Sequence, residues 1–302
     1  MQDDLIIPRP GGRVDMVLDT DAYNEIDDQF AIAYALRSEE EVDVKALYAA
    51  PFFNAKSDGP KDGMEKSYDE IVKVIRLAGR SDLENVVFRG SDRFLEDEKT
   101  PVLSDAAKDL IERAMMYTAE KPLYVVAIGA ITNVASALLM RPEIRERIVI
   151  VWLGGHALTW PDTKEFNMVH DIAAARIVFS CGVPLVQLPC MGVVSAFTTT
   201  KPELETWLVN KNRLADYLAR NAIAEAEEYA AGKPWSRVIW DVTAVAWLVD
   251  QRRERIRDRL VASPIPTYDG YYAFDATRHL IRSVYAVERD ALMEDLFNKL
   301  LR

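Results

Sequence analysis

Val17-Leu18-Asp19-Thr20-Asp21-Ala22-Tyr23-Asn24-Glu25-Ile26-Asp27-Asp28-Gln29-Phe30 joins the end of an apolar strand to the start of an apolar-faced helix, with five carboxylates within ten residues between them. Carboxylates this close repel one another strongly when drawn into a dry cleft, and a hard cation relieves that repulsion. Asp oxygens suit Ca2+ or Mg2+, and the lack of an adjacent His or Cys argues against zinc. A purely local reading competes: Asn24 can cap the following helix while Glu25, Asp27 and Asp28 complement its dipole. That reading leaves Asp19 and Asp21 unexplained. They stand at the strand end, where open α/β sheets bind their ligands.

Outward from this stretch, short β-branched runs alternate with longer segments of helical period, the pattern of a mainly parallel sheet with crossover helices. Strands are predicted at 14–18, 42–50, 86–88, 123–128, 148–153 and 185–188, and helices at 29–37, 66–78, 104–118, 134–139 and 172–180. From Pro202 the character shifts to long helices over 203–229 and 242–249, then a strand-like 280–288 and a terminal helix. With no linker or repeat, the expectation is a single α/β domain over 1–302 with a doubly wound, mainly parallel central sheet flanked by helices. Residues 202–302 are expected to be a mainly helical elaboration of it.

Composition narrows the function classes. A net charge of -11 repels polyphosphate, and no Lys/Arg cluster offsets it, so no nucleic-acid partner is expected. No apolar run approaches the roughly 18 residues of a spanning helix, and Met1 to Pro10 lacks a basic region followed by a long apolar stretch. A soluble, cytoplasmic protein with no membrane partner is expected. Cys181 and Cys190 offer no disulfide framework or Cys-x-x-Cys site and read as reduced, mostly buried thiols.

Asp-x-Asp at the end of the first strand, followed shortly by Asp27-Asp28, resembles the nucleoside hydrolase signature. Val126-Ala127-Ile128-Gly129-Ala130-Ile131-Thr132-Asn133-Val134-Ala135 is similar to the family's Gly-Pro-Leu-Thr-Asn-Ile-Ala strand end. Gly154-Gly155, Glu165-Phe166-Asn167 and Asp171-Ile172-Ala173-Ala174-Ala175 resemble its Gly-Gly, Glu-Phe-Asn and Asp-Pro-Glu-Ala-Ala series, and Trp240-Asp241-Val242-Thr243-Ala244 its His-Asp-Pro-Leu-Ala element. Four motifs in order span residues 17–246.

The resemblance implies a nucleoside hydrolase-like fold and hydrolysis of the N-glycosidic bond of ribonucleosides. It implies Ca2+ held by Asp21, Asp28, the Ile128 carbonyl and Asp241, with Asp21 as general base toward water. Asp27, Glu165 and Asn167 would hold the ribose hydroxyls, and Asp19 would orient its neighbours; independently of the resemblance, Asn54 after the second strand is expected as a ligand contact. His156 would lie near the sugar's 5' end. A homo-oligomer, dimer or tetramer, working in purine or pyrimidine salvage also follows from the resemblance. The oxocarbenium character of such a transition state suits a ring of carboxylates.

Each residue also has a plainer reading. Glu165 and Asn167 can belong to a polar surface loop, Asp241 can be a helix N-cap, Thr132 and Asn133 are expected to cap the next helix, and Phe52 and Phe53 to pack in the core. The sequence departs from the family pattern in three places. Ala22 to Ile26 is two residues longer than the family's Pro-Gly-x, so Glu25 either adds a ligand or bulges outward with the loop. Trp240 replaces the usual His, leaving three alternatives: departure of the base without a general acid, protonation by His156, Tyr229 or Tyr268, or stacking of Trp240 on the base. His156 replaces an Asn. Two other function classes remain open at this point: a haloacid dehalogenase-type Mg2+ phosphatase with Asp19 as nucleophile, and a catalytically silent ribose- or nucleoside-binding relative.

Overall fold

Residues 7–302 are described by the structure, a computed structural model, so part of the leader reading, residues 1–6, lies outside them. Strand and helix alternate as β1 (Val14–Thr20), α1 (Asp27–Leu36), β2 (Val42–Ala49), α2 (Pro60–Leu77), β3 (Val87–Arg89), α3 (Asp105–Ala114), β4 (Leu123–Ala127), α4 (Thr132–Met140), β5 (Ile148–Leu153), α5 (Phe166–His170), α6 (Ile172–Ser180) and β6 (Leu185–Leu188). There follow β7 (Thr198–Thr199), α7 (Lys201–Trp207), α8 (Arg213–Ala230), β8 (Arg237–Val238), α9 (Val242–Val249), β9 (Ile256–Ala262), β10 (Ile265–Pro266), β11 (Tyr272–Ala273), β12 (Leu280–Val287) and α10 (Arg289–Leu300).

Eight strands form one sheet in the order β3-β2-β1-β4-β5-β6-β12-β9, parallel throughout except for the antiparallel edge strand β9. Every residue of β4, β5 and β6 is buried, as expected of strands covered by helices on both faces. One face packs around Phe30, Val245 and Trp247, the other around Leu110, Val134, Trp152 and Phe179. This is the single, mainly parallel α/β domain that the alternation predicts.

Helices α1 and α9 are buried along their whole length and pack against each other, with Ala31, Ala35, Ala244 and Ala246 among their residues. Asp27 and Asp28 open α1, and Asp241 stands immediately before α9. Two adjacent buried helices therefore bring carboxylates that are remote in sequence to one place, beside the end of the central strand β1.

Several expectations are corrected. The C-terminal third adds the strand expected at 280–288, seen as β12, and also the unexpected edge strand β9 to the central sheet. The helix expected over 203–229 is two, divided where Asn210 adopts φ 60° and the Asn212 side chain accepts from the Ala215 amide at 2.8 Å to cap α8. Neither Thr132 nor Asn133 caps α4. Thr132 Oγ1 donates to Asp171 at 2.7 Å, and Asn133 Nδ2 donates to Asp19 at 2.7 Å while its Oδ1 accepts from the Ser91 amide and hydroxyl. Phe52 is core, but Phe53 is 53% exposed. Among the described residues, no helix is long and apolar enough to cross a membrane.

Candidate active site and metal centre

The site begins at the end of β1. Thr20 Oγ1 donates to Asp28 Oδ1 at 2.5 Å, joining the strand end to the first turn of α1. Between them the chain turns tightly, with the Asn24 amide on the Asp21 carbonyl at 2.7 Å. The neighbouring strand end is pinned by the Ile128 amide on the Asp19 carbonyl at 2.8 Å. Gly129 then passes so close that a Cβ there would lie 2.9 Å from Asp21 Oδ1 and 3.1 Å from Ala50 Cβ.

These segments open into a cavity of about 260 Å3 whose lining includes Asp21, Asp27, Asp28, Ile128, His156, Glu165, Asn167, Trp240 and Asp241. Two predicted site residues stand apart from it. Asp19 is fully buried behind the site on Asn133, and Asn54 is held off by its own bond from Nδ2 to Asn24 Oδ1 at 2.6 Å. Tyr229 and Tyr268 are exposed and line no part of the cavity.

At its floor, oxygens of Asp27, Asp28 and Asp241 lie within 4.8 Å of one another. Two oxygens sharing one calcium at about 2.3–2.6 Å each can stand at most about 5 Å apart, so the spacing suits a single ion. The trio includes Asp27, expected as a sugar contact, while Asp21 lies outside it. Asp21 is nonetheless close enough for its charge to raise the pKa of Asp241, and for that of Asp28 to raise its own. Both Asp21 carboxylate oxygens and Asp27 Oδ1 are buried without a hydrogen-bond partner among the described residues. Buried carboxylate oxygens left bare in this way are rare unless an ion or water completes them. The donors are all oxygen, which fits a hard cation. Asp241 occupies the N-cap position of α9 but makes no side-chain capping bond, so the helix does not account for it.

Electrostatics agree with the geometry. Burial first, then neighbouring carboxylates, pushes Asp21, Asp28 and Asp241 well above the ordinary range. Burial and Glu25 push Asp27 up to about 7, against the pull of Arg237. Carboxylates buried this close together repel one another when all are ionised, so the group favours keeping protons when no cation is present.

The opposite wall is built from the ends of β5 and β6. Glu165, far from a surface loop, is buried and accepts from the amides of Gly155 at 2.8 Å, Asn167 at 2.8 Å and Met168 at 2.9 Å, while burial pushes it up to about 7. Asn167 Nδ2 bridges the Ile128 and Leu153 carbonyls, each at 3.1 Å. His156 Nδ1 faces the Met191 amide at 3.3 Å, and burial lowers its pKa. Sequence patterns do not place Asn24, Lys164, Cys190 or Met191 in the lining. Arg237, whose Nη2 donates to Glu25 at 2.8 Å, was equally hidden. By type Asn24 reads as a helix cap, Lys164 as part of a polar run and Cys190 as a buried thiol, while Met191 and Arg237 belong to no local pattern; only the folded loops bring them to the site.

A family model described as inosine-uridine preferring nucleoside hydrolase matches residues 16–283. The chain belongs to this nucleoside hydrolase family. It is accordingly a hydrolase acting on the N-glycosidic bond. The pyrimidine-specific ribonucleoside hydrolase RihA of Escherichia coli O1:K1 is 26% identical to it over 252 residues, 74% of this chain and 76% of that protein. A plant nucleoside hydrolase, PpNRh1, shares its fold with a TM-score of 0.75 at 20% identity, covering 97% of this chain and 99% of the other. A purine-preferring ribonucleoside hydrolase from Gardnerella vaginalis does so with a TM-score of 0.76 at 19% identity, covering 95% and 98%. The phosphatase alternative is overturned by the family match and by Asp19, which is sealed behind the cavity of this nucleoside hydrolase instead of facing it.

Gly129 supplies a test of this geometry. Gly129→Ala is expected to displace the Asp21 carboxylate and lower turnover at least tenfold while far-UV circular dichroism stays that of the parent. Parent turnover in the variant would show that Asp21 needs no such close approach.

Proposed function

We propose that this nucleoside hydrolase performs Ca2+-dependent cleavage of ribonucleosides to ribose and a free base, with Asp21 as general base. The observation that carries the reading is the pair of bare, buried Asp21 oxygens beside the Asp27, Asp28 and Asp241 group. Asp21, Asp28, Asp241 and the Ile128 carbonyl would hold the ion, with Asp27 close enough to join them. Calcium bound there would neutralise the carboxylates and make a neighbouring water a stronger acid.

The chain's own groups account for the rest. Asp21, whose proton affinity is raised by burial, takes the proton from the attacking water. Asp27 and Asn167 hold the sugar hydroxyls, and Glu165 with His156 forms the wall beside the 5' end, so that the anomeric carbon is presented to that water. His156, its pKa lowered by burial, serves as a neutral hydrogen-bonding group. As the base departs, positive charge grows on the sugar, and the surrounding carboxylates stabilise it. The Trp240 indole offers a face on which the base can stack. Asn54 and Asp19 act through Asn24 and Asn133, at one remove from the substrate. The reading extends, on the family resemblance, to a cytoplasmic dimer or tetramer in nucleoside salvage.

Two outcomes follow. Asp21→Asn keeps the shape and loses the base, so ribose release from a nucleoside panel should fall by about 10²–10⁴ while calcium still raises the thermal midpoint. Undiminished release would contradict the assignment, and calcium-dependent nucleoside binding without any release by the parent would mark a silent relative.

The second outcome is a pH dependence. Asp27 rises from 3.8 to about 7 on folding, so between those values the cation-free folded chain keeps a proton that the unfolded chain has lost. Its contribution to stability therefore falls as pH rises through that window. Calcium needs the ionised form and displaces the proton. The rise in thermal midpoint on adding calcium should thus be larger at about pH 7.5 than at about pH 5.5; equal rises would contradict it.

A further inference from the structure

The inserted turn between Asp21 and Asp27 carries two polar side chains into the cavity lining, Asn24 and Glu25, and nothing in the hydrolytic chemistry uses them. The orientation of Asn24 can be followed through its partners. The Lys56 amide donates to Asn54 Oδ1 at 2.8 Å, which fixes the Asn54 Nδ2 as a donor, and that Nδ2 donates to Asn24 Oδ1 at 2.6 Å. Asn24 is buried, and its Nδ2 is the end left for a ligand.

Glu25 is fixed from the other side. Its Oε2 accepts from Arg237 Nη2 at 2.8 Å, and the same nitrogen donates to Glu225 Oε1 at 2.8 Å. Lys56 Nζ closes the ring by donating to Glu225 Oε2 and to the Asn24 carbonyl, each at 2.8 Å. Four charges of alternating sign thus clamp the turn, while Glu25 Oε1 makes no hydrogen bond to a described residue. Segment 237–241 brings Arg237 to Glu25, Trp240 to the cavity and Asp241 to the acidic floor. Trp240, Asn24 and the half-exposed Glu25 line this side of the cavity, and neither Asn24 Nδ2 nor Glu25 Oε1 makes a hydrogen bond to a described residue. The opposite wall commits Glu165 to three backbone amides.

We propose, resting on the nucleoside hydrolase reading, that Asn24 and Glu25 are specificity-determining residues that read the edge of the leaving base and select amino-substituted bases over their oxo counterparts. Glu25 Oε1 can only accept, and Asn24 Nδ2 can only donate. Cytosine offers the complement, an amino N4–H2 beside the bare N3, and adenine repeats it with N6–H2 beside N1. Uracil and hypoxanthine reverse both, setting a carbonyl oxygen against the carboxylate and a ring N–H against the amide. A site that hydrogen-bonds a substrate group discriminates against an analogue that leaves its polar groups mispaired.

The test compares kcat/KM for cytidine against uridine and adenosine against inosine, with calcium present, in the parent and in three variants. The amino-bearing nucleoside of each pair should be favoured on the order of tenfold in the parent, the size expected of one hydrogen bond to a charged group at a partly open site. Glu25→Ala should bring both ratios near one. Glu25→Gln, which can turn an N–H toward the base, should lower them to one or below. Glu228→Gln alters charge in the neighbouring cavity that Glu25 also lines and should leave both ratios unchanged. Changed ratios in the Glu25 variants at an unchanged thermal midpoint support selection by contact, since a merely structural loss would depress both members of a pair equally. Parent preference for the oxo nucleoside in either pair, or ratios that stay put in both Glu25 variants, overturns the proposal and leaves the hydrolase reading intact. Absence of ribose release from all four nucleosides overturns both.

Discussion

Mutual repulsion among buried carboxylates is the constraint around which this molecule is arranged. Asp21, Asp27, Asp28 and Asp241 are all buried in one place, and each is raised above the ordinary carboxylate range. Such a group is a liability to a fold unless a counter-charge or shared protons relieve it. Three features hold it together: the hydrogen bond from Thr20 to Asp28, the N-terminal dipoles of α1 and α9, and the packing of those two helices, whose surrounding apolar contacts keep the carboxylates from turning outward. On the proposed reading, this local cost in stability is what readies the group for a cation and a sugar.

The central sheet makes this arrangement rigid. Parallel strands buried on both faces leave β1, β4 and β5 little freedom, and the ends of these strands deliver Asp21, the Ile128 carbonyl and the Gly154-Gly155 bend to one rim. The parts that differ from the family pattern sit instead on connections between elements. The turn at 22–26 is longer, Trp240 stands in place of a His, and His156 in place of an Asn. Two of these differences border the acidic floor itself, Trp240 beside Asp241 and the longer turn between Asp21 and Asp27, while His156 lies after β5 on the opposite wall.

Much of this was legible in the sequence, and the limits have physical reasons. Alternation of β-branched runs with helical segments identified the parallel sheet because strands buried on both faces must be apolar throughout. The density of Asp between β1 and α1 marked the floor because no helix cap needs so many carboxylates. The edge strand β9 escaped notice: Ile256-Arg257-Asp258-Arg259-Leu260-Val261-Ala262 carries three consecutive charges and reads as surface. Glu165 reads from sequence as a loop residue because a polar run hides the three amides its carboxylate meets. Thr132 and Asn133 looked like caps by type, and only the fold shows them turned to Asp171 and Asp19. Asn24, Arg237 and Asn54 depend on contacts between segments more than twenty residues apart, which no local pattern carries.

The central claim is that acidic side chains remote in sequence converge on one divalent ion. A crystal structure of the calcium-loaded chain, with the ion located by its anomalous signal, tests this most directly. The account predicts a single calcium with oxygens of Asp21, Asp28 and Asp241 and the Ile128 carbonyl at about 2.3–2.6 Å. Calcium bound elsewhere, or a cavity floor that stays free of it at saturating concentration, would contradict the account.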